Sequence, residues 1–501
     1  MSRFVSFVAA VLIILGFAGC ARRGKPEGES SLTSDTSEPE TTGSSKNKQT
    51  IPFALAYTGD DTLNPYKAKT STNLSLSHLI FEGLVRIDDK MSPVPQLAES
   101  LESGDLTISA VLRSDAKFSD GSKVTADDVA YSFSLAKSSD NFKALVSNIK
   151  SASAEGDNKV IFKLSSPDPN AAACLSFPVL KKGTADSPVG SGLYVFKDGN
   201  LPELAANPKS QAKPKIASIR LLDVPDGDAM TYALESGNIS YYFNDLSSGV
   251  IPQITTASIS VDLNSLVFIG VNSYKSGLSE PKVRSALSLA ISRSEICAIA
   301  FAGRARPAVS PFNPSWMAAS EIKGFSEKEK SDTAVAQLNE AGYNIKSNSG
   351  KALSLELLVN KDNSFKSAAA GIIKQQLARV GVAINITELS HSELLSRLKS
   401  GKFELYIGEI KLPANMSLDF LLSSGGSASY GINSKGDAAT AYFRYLEGEI
   451  TMQEFADIFT SDVPFIPLCW RSGIAAYNRA LSGVTPTAFN AYYGIENWNY
   501  S

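Results

Sequence analysis

Alternation of apolar and polar positions marks the first half of the chain, and strand-length and helix-length patterns take turns in the second. Leu106, Ile108, Ala110 and Leu112 fall on every other position, the spacing of a strand with one buried face. Val160, Phe162 and Leu164 repeat it. The apolar run from Ile51 to Tyr57 predicts a strand that stops at Gly59, Asp60 and Asp61. Asp120 and Gly121 form a turn pair, and Thr125 and Asp128 stand at the spacing of a capping box. Val129, Phe133 and Ala136 continue on one helical face. Gly190 and Gly192 precede Tyr194, Val195 and Phe196, which suggests a crossover or a close backbone approach before a short strand. Farther on, Leu353 to Val359 reads as a strand and Ser367 to Val380 as a helix, with Gly381 placed to end it. Val382 to Ile386, Glu393 to Lys399 and Phe403 to Ile407 then read as strand, helix and strand. That succession predicts a parallel α/β sheet.

The ends add a targeting segment. Arg3 precedes an apolar stretch from Phe4 to Phe17, too short to span a bilayer comfortably, and Ala18, Gly19 and Cys20 follow. The segment 1–20 resembles a bacterial lipoprotein signal whose cysteine, Cys20, is lipidated. Residues 21–49 are polar and small with Leu32 the one large apolar side chain, the composition of a flexible tether. The remaining body, about 450 residues, is too long for one core and predicts at least two lobes.

Charge and reactive residues exclude more than they suggest. A net charge of −3 gives no footprint for nucleic acid. Cys174, Cys297 and Cys469 are too widely spaced for a disulfide framework or a zinc motif, so they read as buried small residues, with at most one pair able to bridge. His78 lies in an apolar run and His391 at a helix start, which argues against a histidine-based metal site or triad. No cofactor is implied. A surface hydrolase would need a nucleophile with a base in reach, for which the sequence offers no motif.

Read whole, Lys117 to Phe133 (KFSDGSKVTADDVAYSF) resembles the signature of the extracytoplasmic solute-binding proteins of peptide- and nickel-type ABC transporters, family 5. Further landmarks run in the family's order: LNPY at 63–66, FEGLVRID at 81–88, GSGLY at 190–194, AQLNEAGY at 336–343 and DVPFIPLCW at 462–470. The resemblance implies a periplasmic-binding-protein-like α/β fold, two lobes built from three domains around a central ligand cleft. Domain I would comprise 50–75, 193–268 and 471–501, domain II 76–192, and domain III 269–470, with hinges near 270 and 470.

It also implies ligand-binding segments. One is Lys69, Thr70 and Ser71 with their neighbours Ala68 and Thr72, and another is Glu409, Ile410 and Lys411. Phe142 to Leu145 lies near a third, while Tyr57, Trp470 and Arg471 sit where the chain nears the cleft. The family's peptide binders carry an aspartate for the ligand's α-ammonium where this chain has Pro413. Either Glu409 replaces it or no free peptide N-terminus binds there, and Lys411 would favour a carboxylate. The function implied is a monomeric lipid-anchored receptor at the extracytoplasmic face of the cell membrane, delivering a peptide or other small ligand to ABC permease subunits. The alternative is a membrane-tethered peptide sensor or adhesin.

Overall fold

The computed structural model describes residues 52–199, 201–225, 227–343 and 352–501. The signal segment 1–20 with Cys20, and the tether 21–49, lie outside the described residues. Where Leu106–Leu112 alternates, a strand forms at Thr107–Leu112. It pairs antiparallel with Ala98–Ser103 on one side and Lys159–Leu164 on the other, and Ile149–Glu155 closes this four-stranded sheet. Ile108, Ala110, Leu112, Val160, Phe162 and Leu164 all turn inward and are buried. The helix Ala126–Ser138 packs on this sheet. Its capping box forms as the spacing predicts: Asp128 N–H donates to Thr125 Oγ1 at 3.4 Å, and Thr125 N–H donates to Asp128 Oδ2 at 2.8 Å. Phe133, Phe162 and Phe177 meet at centroid distances of 6.2 to 6.4 Å beneath it.

A second, mixed sheet runs through the rest of the molecule. Its strands stand in the order Val382–Leu389, Leu353–Asn360, Leu405–Lys411, Ala257–Val271, Phe465–Tyr477, Tyr241–Asn244, Ala54–Tyr57, Ser218–Asp223, Glu203–Ala206 and Tyr194–Lys197, with Ala305–Pro307 pairing on Phe465–Tyr477. Leu353–Asn360 is parallel to both of its neighbours, and the helices Ser364–Arg379 and His391–Lys399 fill the crossovers. Gly381 takes the left-handed conformation (φ 75°) that ends the first of these helices.

Two large apolar cores result. One is built mainly from residues between 53 and 221 and from the tail 475–498. The other is built mainly from residues between 246 and 474. We call these the first and second lobe. The strands Ala257–Val271 and Phe465–Tyr477 pass through both: Val261 and Ala475 sit in the first core, Leu266 and Trp470 in the second. Their pairing breaks at the crossing. Asp262 faces Ser472 and Leu266 faces Trp470, so three residues stand opposite Arg471 alone. Such a bulge bends and twists the ladder locally. Cys174, Cys297 and Cys469 are buried free thiols, and burial together with a contact from Cys297 drives the Cys469 thiol well above its usual range.

Candidate functional site

Between the lobes lies a cavity of about 790 Å³, within the range typical of small-molecule sites. Its walls come from distant segments. The first lobe supplies Leu74 and His78 from the helix Ser71–Ile80, the following stretch through Glu82 and Arg86, and Asn141, Phe142 and Leu145. The C-terminal tail adds Asn490, Tyr493 and Glu496. The second lobe supplies Ile410, Lys411, Pro413, Asn415 and Asp419.

Of the segments singled out in the sequence, the structure brings Ile410, Lys411, Phe142 and Leu145 to this wall. Lys69, Thr70 and Ser71 instead build the start of the helix Ser71–Ile80. Thr70 Oγ1 accepts from Asn73 N–H at 3.3 Å and donates to Asp61 Oδ2 at 2.7 Å, while Lys69 N–H donates to the same carboxylate at 3.0 Å. Burial alone would raise the Asp61 carboxyl; the bonds from Thr70 and Lys69 outweigh it and hold it low. Tyr57 ends its strand, and burial together with the charges of Asp223 and Asp198 raises its hydroxyl.

Glu409, Trp470 and Arg471 lie off the cavity wall. Trp470 is only 2% exposed and packs in the second core. Glu409 is held between two cations. Its Oε1 accepts from Arg471 Nε and its Oε2 pairs with Lys366 Nζ at 2.9 Å, and all three side chains are at least four-fifths buried (Arg471 4%, Glu409 13% and Lys366 16% exposed). Arg471 also donates to the Asp245 carbonyl at 2.5 Å, across from the strand bulge.

The electrostatics of the wall are uneven. Burial and the Lys411 ammonium bring the His78 imidazole down to about 4, so it is neutral at physiological pH. Both side chains line the cavity and keep accessible surface, although each stands among many neighbouring atoms. Burial lowers the Lys411 ammonium, partly offset by Asp245. Burial raises the Glu82 carboxyl. Arg86 is engaged, pairing with Glu496 at 3.5 Å and lying 5.1 Å over the Tyr493 ring. At the second lobe's edge, Asn415 Nδ2 donates to Asp168 Oδ2 of the first lobe at 2.7 Å. Burial, with Asp419 nearby, raises the Asp168 carboxyl. Among the described residues, Asp419 Oδ1 and Asn415 Oδ1 are buried without a hydrogen-bond partner. No cluster of three or more metal-ligating side chains is present among those residues, and no helix is long and apolar enough to cross a membrane.

His78, Glu82, Arg86, Asp419 and the tail residues are absent from the sequence-derived set. One signal was available for His78. Thr70 caps the helix, and Leu74 and His78 then fall four residues apart on one stripe, away from the buried Leu76, Leu79 and Ile80. A concave wall with separate cationic and acidic stretches can hold a small polar ligand without covalent chemistry.

The family model for bacterial extracellular solute-binding proteins, family 5 (middle), matches residues 92–430. The oligopeptide-binding protein AppA of Bacillus subtilis (strain 168) is 25% identical over 427 residues, covering 78% of this chain and 77% of that one. The glutathione-binding protein GsiB of Salmonella paratyphi A is 26% identical over 472 residues, 84% and 89% of the two chains. In fold, the chain is similar to NikZ from Campylobacter jejuni in complex with Ni(L-His), with a TM-score of 0.64, 20% identity, and coverage of 90% and 99%. With its mixed α/β architecture, paired lobes and a cavity between them, this chain belongs to the family 5 bacterial extracellular solute-binding proteins.

Proposed function

We propose that the chain is the receptor of an ABC transporter for short peptides, held at the membrane through a lipid on Cys20, which closes its lobes on the ligand and passes it to the permease. The observation that carries this reading is the cavity of about 790 Å³ walled by both lobes and the C-terminal tail. A ligand there touches both lobes at once and so favours the closed arrangement. The end of the strand Leu405–Lys411 runs into the wall, offering main-chain groups to a peptide by strand-like pairing. The relatives' oligopeptide and glutathione ligands agree with that chemistry. Arg3, the apolar run to Phe17 and the small residues before Cys20 support the lipid anchor.

A second reading, a metal–amino-acid chelate, is favoured by His78 and Arg86 on the wall. Thermal unfolding with di- to hexapeptides, sugars and nickel–histidine separates the two, because a bound ligand raises the melting temperature. Short peptides are expected to raise it and sugars to leave it unchanged. A rise with nickel–histidine alone would replace the peptide reading.

A further inference from the structure

We propose that Lys411 and His78, reaching into the cavity from opposite lobes, together hold a carboxylate of the ligand; this deepens the receptor reading and rests on it. Lys411 is the last residue of its strand, and Nζ has no ion-pair or hydrogen-bond partner among the described residues. The acids near it are otherwise disposed. Glu409, two residues back, is held by Arg471 and Lys366. Asp245 accepts from Ser247 N–H at 2.9 Å and acts on Lys411 only through space. Lys411 keeps accessible surface on the cavity wall, so an ammonium with no counter-charge there is open to an anion entering the cavity.

His78 sits in the first lobe, on the helix Ser71–Ile80, near enough for the Lys411 charge to act on its ring. It too has no hydrogen-bond partner among the described residues, and its neutral ring offers an N–H donor. The two oxygens of a carboxylate match one ammonium and one imidazole N–H. Glu82, Asp419 and Glu496 elsewhere on the wall disfavour multiply charged anions, and Arg86 is already paired with Glu496. A single negative charge therefore fits. Because its two contacts come from different lobes, the carboxylate is bound best when the cleft is shut, which couples recognition to closure.

The test is isothermal titration of the full chain with trialanine, trialanine amide and Ala-Glu-Ala amide. Wild type is expected to bind trialanine at least about tenfold more tightly than its amide. Lys411→Met is expected to cut that preference to under about threefold, and His78→Asn, which keeps the ammonium, to reduce it by a smaller factor. Circular dichroism and the melting temperature confirm that both variants are folded. Recovery of affinity by Ala-Glu-Ala amide assigns the site to a side-chain carboxylate, and failure to recover assigns it to the chain terminus; both support a carboxylate. Equal affinity of wild type for all three peptides overturns the proposal and leaves the receptor reading standing. So does a trialanine preference unchanged in both variants. Absence of binding by every peptide overturns the two together.

Discussion

One carboxylate with two cations on it decides what Glu409 does. Its oxygens are taken by Arg471 and Lys366 in a region where all three side chains are nearly excluded from water. Desolvated charges of this kind contribute little net stability as a set, but removing one member leaves the others uncompensated. Glu409→Gln is therefore expected to lower unfolding free energy by about 3 kcal/mol, read as a fall in the urea midpoint. It is also expected to change the affinity for free and N-acetylated peptides by the same factor, since both carboxylate oxygens are already held by protein cations off the cavity wall. A selective loss for the free-amine peptide, with stability unchanged, would return Glu409 to the role of ligand anchor. The sequence shows glutamate, isoleucine and lysine at the end of a strand. It does not show that Arg471, 62 positions away, has claimed the first of them.

At the scale of elements, much was legible because the forces are local. A capping box needs only Thr125 and Asp128 three residues apart, and the helix starts there. Alternation at Ile108, Ala110 and Leu112 suffices to fix which face of a strand is buried. Gly190 and Gly192 announced a close approach, and the structure supplies the neighbour. A Cβ on Gly190 would lie 2.1 Å from the Ile80 carbonyl oxygen, and one on Gly192 2.5 Å from the Ile80 carbonyl carbon. That contact joins the end of the cavity-lining helix to the strand beginning at Tyr194, and Gly192 N–H donates to Ile80 O at 2.8 Å. Gly192→Ala must push the helix end outward, because backbone on both sides cannot yield as a side-chain tip would. We expect a loss of about 1–3 kcal/mol together with weakened ligand binding, since His78 lies two residues before Ile80. Unchanged melting temperature and affinity would show that the helix end shifts freely. The cavity wall was poorly legible for the opposite reason. His78, Glu82, Asp419 and Glu496 meet only through the packing of remote segments, and no short window of sequence records which faces meet.

For the whole molecule, the question is what holds two separately cored lobes together. Two long strands join them, and their pairing is interrupted at Arg471. Away from the strands Ile87, Met91 and Ala173 of the first lobe pack into the second core, and a few polar contacts cross beside them. Asn415 donates to Asp168 at 2.7 Å, Asn170 Nδ2 donates to Tyr445 Oη at 3.4 Å, and Met317 N–H donates to the Lys90 carbonyl at 3.1 Å. Asp168 is the informative member because it is not on the cavity wall. Asp168→Ala removes a lobe-to-lobe bond without removing a wall residue, so a loss of affinity of the same factor for every ligand is expected to come through closure, whereas a ligand-dependent loss would report the freed Asn415 side chain on the wall. A hydrogen bond to a charged group contributes about 1.5–3 kcal/mol. Where the open form dominates in the free protein, losing it lowers the closed fraction, and with it the apparent affinity, by about ten- to a hundredfold. The loss should appear mainly in a faster ligand off-rate, because the lobes reopen more readily. Stopped-flow dissociation of a fluorescent peptide measures this directly. An unchanged off-rate would mean that the long strands, and not the polar contacts opposite them, set the angle at which the cleft rests.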